Sequence, residues 1–284
     1  MSENDSELGW KVASWLWERK EEIARKLVDL YAWFRGKSSE GEQKGSILIL
    51  GPGGVGKTTL AKLLGGEYDL LLDPPGQYEE SIDIEHYSLP GPPEVEIVVP
   101  PGQQHRREAT WNDLFADIVA GKFRGIILLA AYGYHTLGRT SYKDNPLYAG
   151  NKDEFVKAFL AERRAEELAV LRQLAPHMKL NRNRLWFLTL VAKQDLWWPK
   201  RGEVEKHYRD GEYGAEIRQI LPQQDQQRFR HEFVFASLVI RNFVTGRGEK
   251  LRPNAEGYDH ALQVESLRRL IETIDALRTW EASL

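Results

Sequence analysis

Residues 51–59 read Gly-Pro-Gly-Gly-Val-Gly-Lys-Thr-Thr. Their types and spacing suit one task, which is holding a chain of phosphates. Gly51, Gly56, Lys57 and Thr58 fill every fixed position of G-x-x-x-x-G-K-[ST], the phosphate-binding P-loop. In such a loop the backbone N–H groups of Gly53, Gly54, Val55, Gly56, Lys57, Thr58 and Thr59 wrap the phosphates, and the dipole of the following helix adds positive potential. Lys57 is expected to reach the outer phosphates, and the Thr58 hydroxyl to bind Mg²⁺. The glycines, from Gly51 onward, let the main chain turn tightly and approach a ligand.

Such a loop works only between a strand and a helix. The apolar run Ser46 to Leu50 predicts a short buried strand in front, and Thr58 to Leu64 predicts a helix behind, ending near Gly65 and Gly66. A glycine-rich turn that matched by chance would lack both flanks. Further along, 82–89 and 94–99 alternate around Pro90-Gly-Pro-Pro93, which predicts a hairpin. Trp111, Leu114, Phe115, Ile118 and Val119 mark a helix, and 125–131 is apolar enough for a strand buried on both faces. Residues 132–150 read as a long polar loop. Asn151, with Glu154 three residues on, predicts a capped helix whose core face is Phe155, Phe159, Ala165, Leu168, Leu171 and Leu174. Strands at 185–191 and 232–237, a charged helical stretch at about 202–220 and a C-terminal helix through Val264 to Leu277 complete the pattern. The expected fold class is α/β: a mostly parallel six-stranded sheet of the P-loop nucleotide-binding type, with one antiparallel edge strand and helices on both faces.

The chain has 284 residues, enough for one large domain or one domain with an appendage. Its 39 Lys and Arg against 42 Asp and Glu give a net charge of −3, which offers no electrostatic case for nucleic acid. With no cysteine, disulfides, thiolate metal sites and cysteine nucleophiles are excluded. The acidic start lacks the apolar core of a secretory signal, and no apolar run approaches a membrane span. A cytoplasmic protein is the expectation.

The order of these pieces resembles the Ras-like small GTPase domain across roughly 46–280. Beyond the P-loop, Pro101-Gly102-Gln103 resembles the family's D-x-x-G-Q switch. Ala192-Lys193-Gln194-Asp195 resembles the guanine-reading [N/T]-K-x-D. Ala236-Ser237 resembles the Ser-Ala loop whose backbone N–H meets the guanine carbonyl. The resemblance implies GTP or GDP as ligand and Mg²⁺ as cofactor. It gives Asp195 two hydrogen bonds from the guanine edge, packs the Lys193 stem along the base, and assigns Gln103 and Lys57 to catalysis, with Gln103 orienting the attacking water. A buried Asp195 would reject adenine, which offers an acceptor where guanine offers a donor. Ser81 stands where the family's Mg²⁺-binding switch Thr is wanted, so Thr58 and Ser81 are the implied metal ligands. Segments at about 68–83 and 100–110 are the implied switches.

Two positions depart from the family pattern. Val99 replaces the Asp that opens D-x-x-G, which removes a carboxylate from the metal side. Glu96, on the same strand but three residues earlier, faces the other way. Ala192 replaces the Asn or Thr before Lys193, removing a side chain that ties the base loop to the P-loop. Arg106, Arg107 and Arg139 are candidate transition-state arginines, although the expectation for each is a solvated charge or a partner contact.

The boundaries implied are 1–45 for a tail, an aromatic-rich helix and a linker, and 46–284 for the nucleotide domain. In the first segment Trp10, Trp15, Trp17, Tyr31, Trp33 and Phe34 interleave with charges of both signs. Three roles stay open for this amphipathic helix: packing on the nucleotide domain, binding a protein partner or a second copy, and lying on a membrane surface, against which the mixed charge weighs. The function expected is a GTP-binding switch that hydrolyses slowly and works with a protein effector or regulator. The alternatives are a P-loop ATPase or kinase without guanine selectivity, and a nucleotide-binding interaction module with little hydrolysis, which Val99 favours.

Overall fold

The computed structural model describes residues 46–71, 81–89, 95–138, 140–220 and 227–283. The aromatic-rich helix expected at 10–34, its linker, the middle of the first switch segment, the Pro90–Pro93 turn and Arg139 lie outside the described residues.

Six strands form one sheet. They are β1 (Ser46–Leu50), β2 (Glu85–Leu89), β3 (Val95–Val99), β4 (Phe123–Ala130), β5 (Leu185–Val191) and β6 (Phe229–Phe235), in the spatial order β2-β3-β1-β4-β5-β6. All neighbours are parallel except the edge strand β2, which runs antiparallel to β3. This is the α/β sheet the sequence predicts, with the antiparallel strand at its expected edge. Every residue of β5 is buried, and so are all but one of β4. A parallel strand can be apolar throughout only when helices cover both faces.

Helices α1 (Lys57–Leu64), α2 (Gln104–Val119), α3 (Lys152–Leu180), α4 (Gln194–Trp197), α5 (Arg201–Arg209), α6 (Glu212–Ile220) and α7 (His260–Ala282) supply the cover. The charged stretch expected as one helix is two, α5 and α6, broken at Asp210-Gly211. Asn151 caps α3 as expected, its side chain accepting from the amides of Asp153 and Glu154. The core face of α3 differs from the expectation at one position. Ala165 is exposed, and Glu167 is buried two residues on.

The stretch expected as a polar loop after β4 is buried over its first residues and open to solvent beyond them. Tyr132, Tyr134, His135 and Leu137 all pack inward. A buried loop must satisfy its own backbone donors. Glu167 does so here, accepting from the amides of Ala131 (2.8 Å) and Gly133 (3.0 Å), from the His135 ring (2.8 Å) and from the Tyr208 hydroxyl (2.6 Å). Burial pushes the Glu167 pKa up, but the hydrogen bond and attraction of His135, with Tyr208 and the Ala131 amide, outweigh it and leave the group below its ordinary value. A small hairpin, β7 (Phe243–Val244) with β8 (Lys250–Arg252), follows β6, and Leu137 bridges to Thr245 beside it. Its two short strands were not anticipated in the sequence.

Strand β1 lies between β3 and β4: the chain leaves β1 toward the β2 edge and, after β3, crosses back past β1 to β4. In an open α/β sheet that reversal opens a crevice at the carboxyl ends of the strands. The loop 51–56 leaves β1 at this point.

Candidate functional site

A cleft of about 370 Å³ occupies the crevice, within the size range of small-molecule sites. One end is walled by Gly53, Gly54, Val55, Gly56, Lys57, Thr58 and Thr59, with Ser81, Gly102 and Gln103 facing them. The other is walled by Lys193, Asp195, Leu196, Leu238, Val239, Phe243 and Val244. The residues singled out in three separate stretches of sequence therefore converge on one space. Gly51, directly after β1, is buried behind this wall.

At the phosphate end the main chain dictates glycine. Gly54 has φ +73°, and a Cβ there would lie 2.7 Å from the Thr136 amide nitrogen. Gly102 is held by close approach. A Cβ on it would lie 2.1 Å from Lys57 Nζ, 2.6 Å from the Gly51 carbonyl oxygen and 2.7 Å from the Pro52 carbonyl carbon. Gly102 thus rests on the loop 51–56. Lys57 Nζ donates to the Pro52 carbonyl at 3.0 Å. Burial, then the nearby Arg107, lowers its pKa to about 7 against the opposing charges of Glu85 and Glu166. A buried ammonium at this spot is costly until an anion joins it.

The Thr58 hydroxyl lies 3.3 Å from Ser81 Oγ and donates to Glu85 Oε2 at 3.0 Å. The two hydroxyls implied as metal ligands therefore adjoin, and an unforeseen carboxylate joins them. Hard oxygen donors of this kind suit Mg²⁺, which usually takes few protein ligands and fills its shell with phosphates and water. Among the described residues no three His, Cys, Asp or Glu side chains gather to hold a metal by themselves. Glu96, by contrast, accepts from Ser46 and pairs with His86, away from this group.

Gln103 stands at the N-cap position of α2 without a side-chain capping bond, and its Cγ would lie 3.5 Å from a Cβ on Gly53. It sits at the lip of the phosphate loop. Behind it, α2 grips the switch segment: Trp111 Nε1 donates to the Pro101 carbonyl at 3.0 Å, and Arg107 Nε to the Gly102 carbonyl at 2.7 Å. Arg107 is buried and pairs with Glu166, so it is not the solvated charge the sequence leads one to expect. Arg106 reaches the Ile82 carbonyl at 3.2 Å and joins the start of α2 to the segment before β2.

At the other end, Asp195 is fully buried. Ser237 Oγ donates to its Oδ1, and the Arg241 amide donates to its Oδ2 at 3.1 Å. Burial raises the Asp195 pKa, with Ser237, the Arg241 amide and Lys193 opposing. Both carboxylate oxygens keep capacity for a second donor from the cleft. Lys193, with φ +59°, turns its Nζ to the carbonyls of Gly54 (2.8 Å) and Tyr134 (2.6 Å) and to Thr136 Oγ1 (3.2 Å). The tie lost at Ala192 is thus made by Lys193 itself. Ala236 and Ser237 stand behind the wall rather than in it. Their amides are already used, by the Val191 carbonyl at 3.1 Å and by Ser266 Oγ at 3.4 Å. Leu238 and Val239 form the wall instead.

Sequence reasoning missed Glu85, Thr136 and the apolar wall of Leu238, Val239, Phe243 and Val244. Only the proximity of 238 and 239 to Ala236-Ser237 offered a signal.

No protein-family model matches the chain, and no curated protein matches it. Among solved structures, the signal recognition particle receptor SRb-GTP/SRX complex from Chaetomium thermophilum is 15% identical, covering 70% of this chain and 92% of that one, with a TM-score of 0.40. The mammalian SRP receptor is 14% identical, with 82% and 99% covered and a TM-score of 0.41. The small COPII coat GTPase SAR1 from Encephalitozoon cuniculi in complex with GDP is 16% identical, with 98% of each chain covered and a TM-score of 0.40. Likeness of this degree carries no functional argument, which rests on the cleft itself.

Proposed function

We propose that this chain binds GTP and GDP with Mg²⁺ in the cleft and acts as a nucleotide-dependent switch of the Ras-like type that hydrolyses GTP slowly. One observation carries the reading. A buried carboxylate, Asp195, lies at one end of a cleft whose other end is the phosphate loop, and Lys193 ties the two ends together through Gly54. An acceptor pair buried at this end of the cleft suits the N–H edge of guanine and leaves groups unpaired against adenine.

In this reading the loop amides and Lys57 hold the phosphates, while Thr58 and Ser81 hold the metal. Mg²⁺ would neutralise charge on the β- and γ-phosphates. Gln103 orients a water for in-line attack on the γ-phosphorus, and the bond to the bridging oxygen breaks. Contacts of Gly102 and Ser81 with the γ-phosphate would order the switch segments and be lost on hydrolysis. A cytoplasmic setting, a protein effector, and a partner or membrane role for the N-terminal helix belong to the same proposal.

Affinities for GTP, GDP and ATP, with and without Mg²⁺, test the reading. Preference for ATP would remove guanine selection from Asp195. Val99 favours a second reading, a binding module that barely hydrolyses. Single-turnover GTP hydrolysis by the wild type and Gln103→Leu separates the two, since equal rates near background favour the module.

A further inference from the structure

Strand β2 enters the sheet antiparallel to β3, and Glu85 stands directly opposite Val99. Residues directly opposed across an antiparallel pair share a face of the sheet. Glu85 therefore emerges on the Val99 side of the sheet, one strand nearer the edge. Its Oε2 accepts from Thr58 Oγ1 at 3.0 Å and from the Tyr87 hydroxyl at 2.9 Å. Ser81 Oγ is 3.3 Å from the same Thr58 oxygen. Side chains from α1, from β2 and from the segment preceding β2 thus place two hydroxyls and one carboxylate together at the mouth of the phosphate loop. Val99, fully buried, supplies no oxygen here.

We propose that Glu85 is the carboxylate of the Mg²⁺ site, replacing from the neighbouring strand the acid absent at position 99. As a positioning residue it accepts the Thr58 hydrogen bond, which turns the hydroxyl lone pairs toward the ion, and it sets one negative charge beside that ion. The inference rests on the nucleotide reading above. Groups that orient a metal ligand in this way are typically worth about 10- to 100-fold in metal affinity.

The competing role is a brace in which Glu85 and Tyr87 merely fasten β2 to α1. A brace would support nucleotide binding equally with and without metal. The test is the Kd of the full chain for a fluorescent GDP across an Mg²⁺ titration and in EDTA, for wild type, Glu85→Gln, Glu85→Asp and Tyr87→Phe, with melting temperatures alongside. Glu85→Gln is expected to need about 10- to 100-fold more Mg²⁺ for half-maximal tight binding, with its Kd in EDTA unchanged. Glu85→Asp, which keeps the charge on a shorter stem, falls between, and Tyr87→Phe keeps the wild-type Mg²⁺ requirement. Wild-type Mg²⁺ dependence in both Glu85 variants overturns the proposal, as does equal weakening with metal and in EDTA. A wild type that binds no guanine nucleotide overturns the reading of the cleft and this inference with it. Guanine nucleotide bound without regard to Mg²⁺ overturns the inference alone.

Discussion

Lys193 Nζ lies 2.8 Å from the carbonyl oxygen of Gly54, joining the loop after β5 to the loop after β1. The same carbonyl accepts from the Thr136 amide at 3.0 Å and from Thr136 Oγ1 at 3.2 Å. Three loops are therefore fixed at one oxygen. The distance between the base end and the phosphate end of the cleft is set there, before any ligand arrives.

Lys193→Met tests that coupling. The variant keeps the stem and removes three hydrogen bonds, while Gly54 retains its Thr136 partners. Loss of the hydrogen bonds destabilises and relief of a buried ammonium stabilises, so the two effects oppose one another. The expected result is a melting temperature close to wild type, with GTP and GDP affinity lowered by about tenfold or more, the equivalent of one hydrogen bond to a charged group. Fluorescence titration and thermal melting measure the two quantities. Unchanged affinity would show that the loops keep their spacing without Lys193.

Asp195→Asn addresses base choice. An amide offers one acceptor and one donor where guanine N–H groups want two acceptors, so a donor meets a donor. Losing charge-assisted bonds worth about 1.5–3 kcal/mol each should weaken GTP binding by at least about 100-fold. A xanthine nucleotide, which has a carbonyl where guanine has its amino group, should recover part of that loss. Competition between the two nucleotides is the measurement. Equal weakening of both would assign Asp195 to loop structure alone.

The Lys57 pKa of about 7 gives binding a pH dependence. Phosphate oxygens around the ammonium favour its charged form, so the liganded pKa lies above the free one. In that window the complex holds more protons than the free protein. Binding therefore takes up a proton, and affinity falls as pH rises above about 7. The unliganded fold shows the opposite trend. Its Lys57 pKa is depressed from 10.5, so the unfolded chain binds more protons and stability rises with pH across that interval. Calorimetry in two buffers of different ionisation enthalpy reads the proton uptake. Equal binding heats in the two buffers would place Lys57 away from the phosphates.

How much of this was legible depends on the range of the interactions. Gly51 to Thr59 could be read because a phosphate loop is local: strand, turn and helix start lie within one short stretch. Asp195 could be placed because the end of a buried strand is marked by its apolar run. Glu85 could not, since its role depends on which residue of β3 it opposes, and register is fixed by the tertiary fold. The burial of Glu167 is likewise unreadable. Its partners Ala131, Gly133, His135 and Tyr208 come from the loop after β4 and from α5, and no spacing along α3 points to them. Helical periodicity put Ala165 in the core on apolarity alone, yet the buried position belongs to the charged residue with enough donors around it. The surface expectation for Arg107 failed for the same reason, because its partner Glu166 is distant in sequence.

That pair yields a stability test with its own pH signature. Arg107 bridges the Gly102 carbonyl and Glu166, and Glu166 also accepts from Arg163 at 2.7 Å. Burial works against ionisation of Glu166, but the hydrogen bond and attraction of His135, with Arg107 and Arg163 beside it, draw its pKa from 4.5 down to about 2. Removing Arg107 takes one charge-assisted bond from Glu166 and leaves it Arg163 and His135, so Arg107→Ala should cost about 1.5–3 kcal/mol in urea unfolding. Arg107→Ala with Glu166→Ala should cost clearly less than the two single losses added, because both single changes break the same ion pair. Additive losses would mean the two groups do not interact. A folded-state carboxylate with a depressed pKa contributes stability above its unfolded value and loses it as pH falls through the folded one. Glu166→Gln should therefore be less stable than wild type near neutrality, and the difference should shrink as pH drops from 4.5 toward about 2. A difference that stays constant across that range would show that the Glu166 charge adds nothing to the grip on Gly102.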